Sequence, residues 1–242
     1  MLEIIISSLG RFEDNQKSKQ TLKLCNKTIL ECVIESIIPL DREFNLTIIS
    51  NYEYIKQKII SNDIINPKLL NAYRSIKKDR TDLDNTLRCL KNMKSSFNDV
   101  IFCNLDQILI NNEIDEFYQY IDRIKNKDVD MCVASRAIKQ YDDIFIKHYL
   151  DKVVGVNSMN RLCKLSPSGI YWFNNLFILI NALENVMKKD KNAIFDDCIN
   201  EFLVNKKLVL HHILLTRNLK FIKVQEEYNK YVKELNSHLT FN

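Results

Sequence analysis

The feature that most constrains this chain is the alternation of short apolar runs with stretches of helical period through its first half. Leu2 to Ser7 is an almost unbroken apolar run, the pattern of a strand covered on both faces. After a polar stretch, Ser8 to Gln20, Thr28 and Glu31 make a capping-box signature before an amphipathic segment that reaches about Ile38. Leu46 to Ile49 reads as a strand, Tyr52 to about Ile60 as helix, Leu69 to about Ser75 as a further strand, and Thr81 to Met93 as helix. Asp99 to Cys103 is a short buried strand that closes on Asn104-Leu105-Asp106-Gln107. Ile114, Phe117, Ile121 and Ile124 lie on one helical face, and Asp130 to Ala134 is again a strand. Such alternation predicts an α/β fold, a mostly parallel mixed sheet with helices on its faces.

From about Ile144 the texture changes. Strand-like pieces (FIKHYL, KVVGVNS, SGIYWF) precede two helices, about Asn174 to Met187 and about Phe195 to Asn205. Leu208 to Leu215 reads as a last strand and Gln225 to Leu235 as a closing helix. No linker or repeat divides the chain. Its 242 residues suit one domain, with 1–143 as one half and 144–242 as the other. Lys and Arg exceed Asp and Glu by 35 to 31 and are dispersed, so no nucleic-acid footprint is indicated. The seven Cys include no CxxC and sit mostly in apolar runs. They read as reduced core residues of a cytoplasmic protein. The apolar run at the start is too short for a membrane span.

Ligands in open α/β sheets bind beyond the carboxyl ends of the strands. Two turns there could carry chemistry. After the first strand come Ser8, Leu9, Gly10 and Arg11, where backbone N–H groups and a guanidinium could hold phosphate; an ordinary turn is the competing reading. After the buried strand come Asn104 and Asp106, oxygen donors suited to a divalent cation, or else an Asx turn.

The ordered set of segments resembles the sugar-phosphate nucleotidyltransferase family, in its capsule-biosynthesis-type branch. In IIISSLGRFEDNQKSKQTLKLCNKTILECVIESI, Gly10, Arg11 and Phe12 match the end of that family's glycine-rich loop. Lys19 falls on its Pro-Lys lysine, and Lys27-Thr28-Ile29-Leu30 on its helix start. NTLRCLKNM resembles the helix after the base-binding turn, and VIFCNLDQILI the strand ending in Asn-x-Asp-Gln. SPSGIYWF resembles the GIYxF strand, INEFL the Asn-Glu-Leu-Ile helix, and VQEEYNKYVKEL the closing helix. The resemblance implies a single Rossmann-like (GT-A/nucleotidyltransferase) domain. It implies a nucleoside triphosphate or nucleotide-sugar and a sugar phosphate as ligands, and leaves a homodimer open. Arg11 and Lys19 would contact phosphates; Ser8, Leu9, Gly10, Asp82 and Asn85 would line the nucleotide site. Asp106, with Asn104, would bind Mg²⁺. Gly169, Tyr171 and Arg161 would face the sugar, Arg161 standing in for a family lysine.

The sequence also departs from the family. The loop keeps only Gly10, Asp82 falls where the base-binding turn has glycine, and no Asp or Glu occurs between Glu201 and Glu226 to supply a second metal carboxylate. Two further readings follow: a catalytically degenerate binding or regulatory subunit, and a glycosyltransferase that consumes a nucleotide-sugar. Elsewhere, adjacent His211 and His212 should point to opposite faces of a strand, one buried and one exposed. Asp128-Val129-Asp130 precedes a strand instead of ending one. Asp196 and Asp197 suit helix capping. Trp172 suits the core.

Overall fold

The computed structural model describes residues 2–7, 23–24, 27–39, 41–49, 81–93, 98–104, 107–109, 113–137, 144–157, 164–214 and 219–221. The strands in chain order are β1 (Leu2–Ser7), β2 (Lys23–Leu24), β3 (Lys27–Thr28), β4 (Phe44–Ile49), β5 (Val100–Asn104), β6 (Gln107–Leu109), β7 (Met131–Ala137), β8 (Phe145–Tyr149), β9 (Lys152–Asn157), β10 (Leu165–Phe173), β11 (Val209–Ile213) and β12 (Leu219–Phe221). The helices are α1 (Ile29–Ile37), α2 (Asp82–Lys91), α3 (Glu113–Ile124), α4 (Leu176–Lys189) and α5 (Asp197–Val204). The expected Tyr52–Ile60 helix, Leu69–Ser75 strand and Gln225–Leu235 helix lie outside the described residues.

β1 sends Ile4 and Ile6 to one face and Ile5 to the other, all fully buried. A strand apolar on both sides must sit inside a sheet covered twice. It does: the 8-stranded sheet has the order β4-β1-β5-β10-β7-β11-β9-β8. β1 pairs in parallel with β4 and β5, and β11 pairs in parallel with β7. β10 runs antiparallel to both β5 and β7. Five strands, β4, β1, β5, β7 and β11, therefore point the same way, and a strand from the second half of the chain lies between two from the first.

The first face packs Ile4, Ile6, Ile101, Cys103, Cys132, Ala134 and Trp172 under α1 and α3. The second packs Ile5, Phe102, Val133, Tyr171 and Phe173 under α2, α4 and α5. α1 starts as its sequence requires. Thr28 Oγ1 accepts the Glu31 N–H at 3.2 Å, and the Glu31 carboxylate accepts the Thr28 N–H. Such a cap contributes about 1 kcal/mol. Tyr118 of α3 donates to the Ile37 carbonyl at 2.8 Å, fastening α3 to the end of α1.

Several expectations are sharpened or corrected here. Asp130 accepts the Leu208 N–H at 3.0 Å and pairs with Lys207 at 3.1 Å, so it ties the start of β11 to the start of β7. Asp196 precedes α5 without making a side-chain cap; its carboxylate accepts the Tyr171 hydroxyl instead. Asp197 accepts the Ile194 N–H at 2.9 Å. His211 and His212 do face opposite sides, yet neither is exposed. His212 is half-buried and stacks on Tyr120, ring centroids 4.7 Å apart. Trp172 is fully buried, and Cys89, Cys103, Cys132 and Cys198 are buried thiols. Among the described residues no helix is long and apolar enough to cross a membrane.

Candidate functional site

The chain leaves β1 toward β4 on one side, through α1, and later returns to place β5 on β1's other side. The reversal makes a switch point between the carboxyl ends of β1 and β5, the place where a crevice opens in a sheet of this kind. The last residues of the two strands are register partners, Ser7 opposite Asn104. Ser8-Leu9-Gly10-Arg11 and Leu105-Asp106 thus leave from adjacent strand ends on one rim.

Ser8, Leu9, Gly10, Arg11, Lys19, Asp106 and Arg161 lie outside the described residues, but what flanks them is placed. Lys19 precedes β2, which pairs with β3 at the start of α1. Asp106 lies between Asn104, half-exposed at the end of β5, and Gln107, the first residue of β6. β6 packs against α1 on the first face and pairs with β12. The segment with Arg161 joins Asn157 to Lys164 and runs into β10. That strand begins with Leu165 opposite Ala137, at the carboxyl end of β7. Because β7 runs parallel to β5, this is the same rim.

Asp82 and Asn85 lie on the first turns of α2, which Thr81 caps by accepting the Asp84 N–H at 3.2 Å. α2 precedes β5 in the chain and packs beside α4. Asp82 is exposed, whereas Asn85 is buried.

Gly169 occupies a bulge. Between Pro167 and Ile170 of β10 two residues have no counterpart on β7, where Ser135 and Ala134 are consecutive. Gly169 has φ 86°, a left-handed conformation that a side chain resists. Bulges of this kind re-aim a strand beside a site. Tyr171, two residues on, is buried in the second-face core near Phe102 and Phe195. Burial first, and then Asp196, holds its hydroxyl well above the usual tyrosine range. It braces the strand that carries the bulge.

Two residues that the sequence did not single out also stand at this rim. Arg136 is buried near the carboxyl end of β7, and Ser168 is fully buried within the bulge. The available signal was a charged residue closing an otherwise uncharged strand, MCVASRA. One strand away, His211 Nε2–H donates to the Leu150 carbonyl at 3.0 Å, and its Nδ1 lies 3.1 Å from Ser135 Oγ. With Nε2 as donor, neutral Nδ1 is an acceptor, and it shares the single Ser135 hydroxyl proton with the His212 carbonyl, also at 3.1 Å. Burial lowers the His211 pKa from its ordinary value, and nearby His148 adds to that.

Among the described residues no group of three or more His, Cys, Asp or Glu could hold a metal. Asn104 ends β5 at the switch point with an amide oxygen, and the Asp106 carboxylate follows two residues on in sequence; oxygen donors of this kind have the hard chemistry that Mg²⁺ takes. An ion with so few protein ligands leans on substrate phosphates for the rest.

No protein-family model matches the sequence, and no curated protein matches it. Solved structures do match in fold. An inositol-1-phosphate CTP transferase from T. maritima superposes with a TM-score of 0.72 at 10% identity, covering 97% of this chain and 94% of that one. A UDP-glucose pyrophosphorylase complexed with UDP-glucose gives 0.71 at 11%, covering 99% of each chain. A 4-diphosphocytidyl-2C-methyl-D-erythritol synthase from Anaerococcus prevotii gives 0.64 at 17%, covering 99% and 96%. The chain has the fold of the sugar nucleotidyltransferases, in a highly diverged sequence.

Proposed function

We propose that this chain is a nucleotidyltransferase that transfers a nucleoside monophosphate from a nucleoside triphosphate to a sugar phosphate. The observation that carries the reading is the register pair Ser7–Asn104 at the switch point. The reading takes the Gly10–Arg11 segment that follows Ser7 and Asp106, two residues after Asn104, to act together at that rim. In the reaction an oxygen of the sugar phosphate attacks the α-phosphorus, the bond from that phosphorus to the bridging oxygen breaks, and pyrophosphate leaves. Chemistry of this type needs alignment and charge neutralisation more than proton transfer.

Arg11 and Lys19 would neutralise and orient phosphate oxygens, and Asp106 with Asn104 would hold a divalent cation. Bound there, Mg²⁺ supplies compensation for the charge on the phosphates. Asp82 and Asn85 border the base, and the bulge at Gly169 with Arg161 borders the sugar. The fold relatives named above act on cytidine and uridine nucleotides by their names, which favours pyrimidine triphosphates as first substrates to try.

The test is pyrophosphate release from CTP, UTP, dTTP and ATP, each with a panel of sugar phosphates and Mg²⁺. Turnover should appear with at least one pair. Asp106→Asn should lower it by about a hundredfold or more. A wild-type chain that binds none of the triphosphates and turns over no pair defeats the proposal.

A second reading is favoured by one sequence fact: no carboxylate lies between Glu201 and Glu226 to share the cation. On that reading the chain binds nucleotide without turning it over, and Asp106→Asn leaves its cellular role intact. Binding without turnover, with a neutral Asp106→Asn phenotype, selects it over the first.

A further inference from the structure

We propose that a pocket at the amino end of the sheet, between Trp172 of β10 and Asp99 at the entry to β5, binds a neutral polyhydroxyl molecule the size of a monosaccharide or cyclitol. The pocket is separate from the switch point and stands independently of the proposed function.

The strands deliver its walls to one place. Leu2 opens β1, Arg42 and Glu43 come just before β4, and Asp99 comes just before β5. All of them stand at the amino ends of three parallel neighbours. β10 runs against β5 and finishes at the same end, with Trp172 opposite Ile101. The second half of α3 and the residue after it close the pocket through Tyr118, Asp122 and Lys125. The cavity left among them measures about 460 Å³. That is far above the roughly 30 Å³ share of one water and falls within the range of small-molecule sites. Asp99 and Asn104 bracket β5, so roughly 17 Å of strand separates the cavity from the switch point.

Two groups in the cavity are left incomplete by the fold. The indole of Trp172 is fully buried, and its Nε1–H has no hydrogen-bond acceptor. A buried donor in that state is a standing cost, which an entering acceptor removes. The Asp99 carboxyl is partly buried, and burial raises its pKa; Lys125 and the indole N–H oppose that rise without cancelling it. The N–H therefore acts on the carboxylate without closing a hydrogen bond to it. A single group that completes both must accept from the indole and donate to the carboxylate. A hydroxyl does both, whereas an ammonium only donates and a phosphate dianion only accepts.

The rest of the lining argues against an ion as ligand. Arg42 and Lys125 share the Asp122 carboxylate, at 3.0 and 2.8 Å. The Arg42 guanidinium also lies over the Tyr118 ring, 4.8 Å from its centroid. Both cations are thus engaged, and with Asp99 and Glu43 the described lining carries three carboxylates against two cations. An entering anion meets that surplus. A cation relieves it but leaves the indole N–H unpaired. Arg42, Asp122 and Lys125 are partly exposed, which opens the pocket to solvent above its buried tryptophan floor.

Trp172 is the only tryptophan in the chain, so its emission reports on this pocket. The full chain is titrated with myo-inositol, glucose and mannitol, and in parallel with inorganic phosphate and ethylammonium. Tryptophan emission and calorimetry are both read. At least one polyol should bind saturably, with a Kd of about 1 mM, and shift the emission. Asp99→Ala should weaken that binding by about tenfold or more. Asp99→Asn keeps an acceptor and loses the charge, and should weaken it by about threefold. Trp172→Phe, followed by calorimetry, should weaken it by about threefold.

Wild type that binds no polyol overturns the proposal and leaves water as the only occupant. Tighter binding of phosphate or ethylammonium than of every polyol overturns it as well. So does wild-type polyol affinity in Asp99→Ala, and so does polyol binding that leaves the emission unchanged, because the polyol then sits elsewhere. If Asp99→Ala does not fold, Asp99→Asn decides, and wild-type polyol affinity in that variant overturns the proposal. No nucleotide enters these titrations, so their outcome is independent of pyrophosphate release.

Discussion

The two ends of the sheet obey different rules. At the β4-β1-β5 end, side chains are buried on both faces, and parallel neighbours hold every strand along most of its length. At the β9-β8 end the hairpin joins β11 through one register pair, Leu210 with Lys152, aided by the His211 N–H to the Asp151 carbonyl at 2.8 Å. Tyr149, Leu150 and Val154 expose half or more of their surface there, Ile213 just under half, and Leu150 takes φ 54° at the turn. The first end fixes where strand ends emerge, and that is the property the switch point requires. The second end is held by Ile146 and Val153, buried in the second-face core, and by a few polar contacts, of which the one through the His211 ring can titrate.

The contrast predicts effects of descending size. The largest belongs to Phe102 of β5, whose ring stacks on Phe195 at 4.0 Å with the planes 7° apart. Phe102→Ala should cost about 3–5 kcal/mol in denaturant unfolding. A loss under about 1 kcal/mol would show that the closed end is not the rigid part.

The second effect concerns pH. His211 and His212 both have pKa values lowered by burial from their ordinary 6.5. The unfolded chain therefore takes up protons before the folded chain does. Stability is whole above about pH 6.5, falls as pH drops below that value, and the loss levels off under the folded pKa. His148 and Asp151 lie near His211, and Glu116 and Arg123 of α3 lie near His212. Melting temperature measured from pH 8 down to pH 5.5 should decline, with a shallower slope in His211→Gln. A flat wild-type profile would remove the histidines from the account. The smallest effect is at Val154, 51% exposed on β9, where Val154→Thr should change stability by less than about 0.5 kcal/mol. A larger loss would show that the hairpin face is covered in solution.

The same contrast governs what was legible in the sequence. β1, α1, β5, α3 and β10 are long enough to show their period, and the Thr28–Glu31 box fixed the start of α1 to the residue. β2, β3, β6 and β12 have two or three residues each, too few for alternation to register, and their pairing is set by distant chain. Gly169 could be read as special because the chain has so few glycines, but the two-residue bulge depends on the register with β7. Strand order is likewise a long-range property: nothing local says that β10 inserts between β5 and β7. The placement of Asn104 at a strand end was legible from the apolar run before it. Arg136 was not, because a lone arginine closing a strand has no distinctive spacing, and it gains meaning only once β7 is known to end at the rim where β5 ends.

β10 enters the sheet against the grain of its two neighbours, so its first residues, and not its last, meet the crevice. The chain that leaves β9 is thereby returned to the carboxyl rim, between the ends of β5 and β7, which are fixed in the centre of the sheet. The entry of β10 hangs from the sheet's least covered end, whereas β5 and β7 answer to a core on both faces.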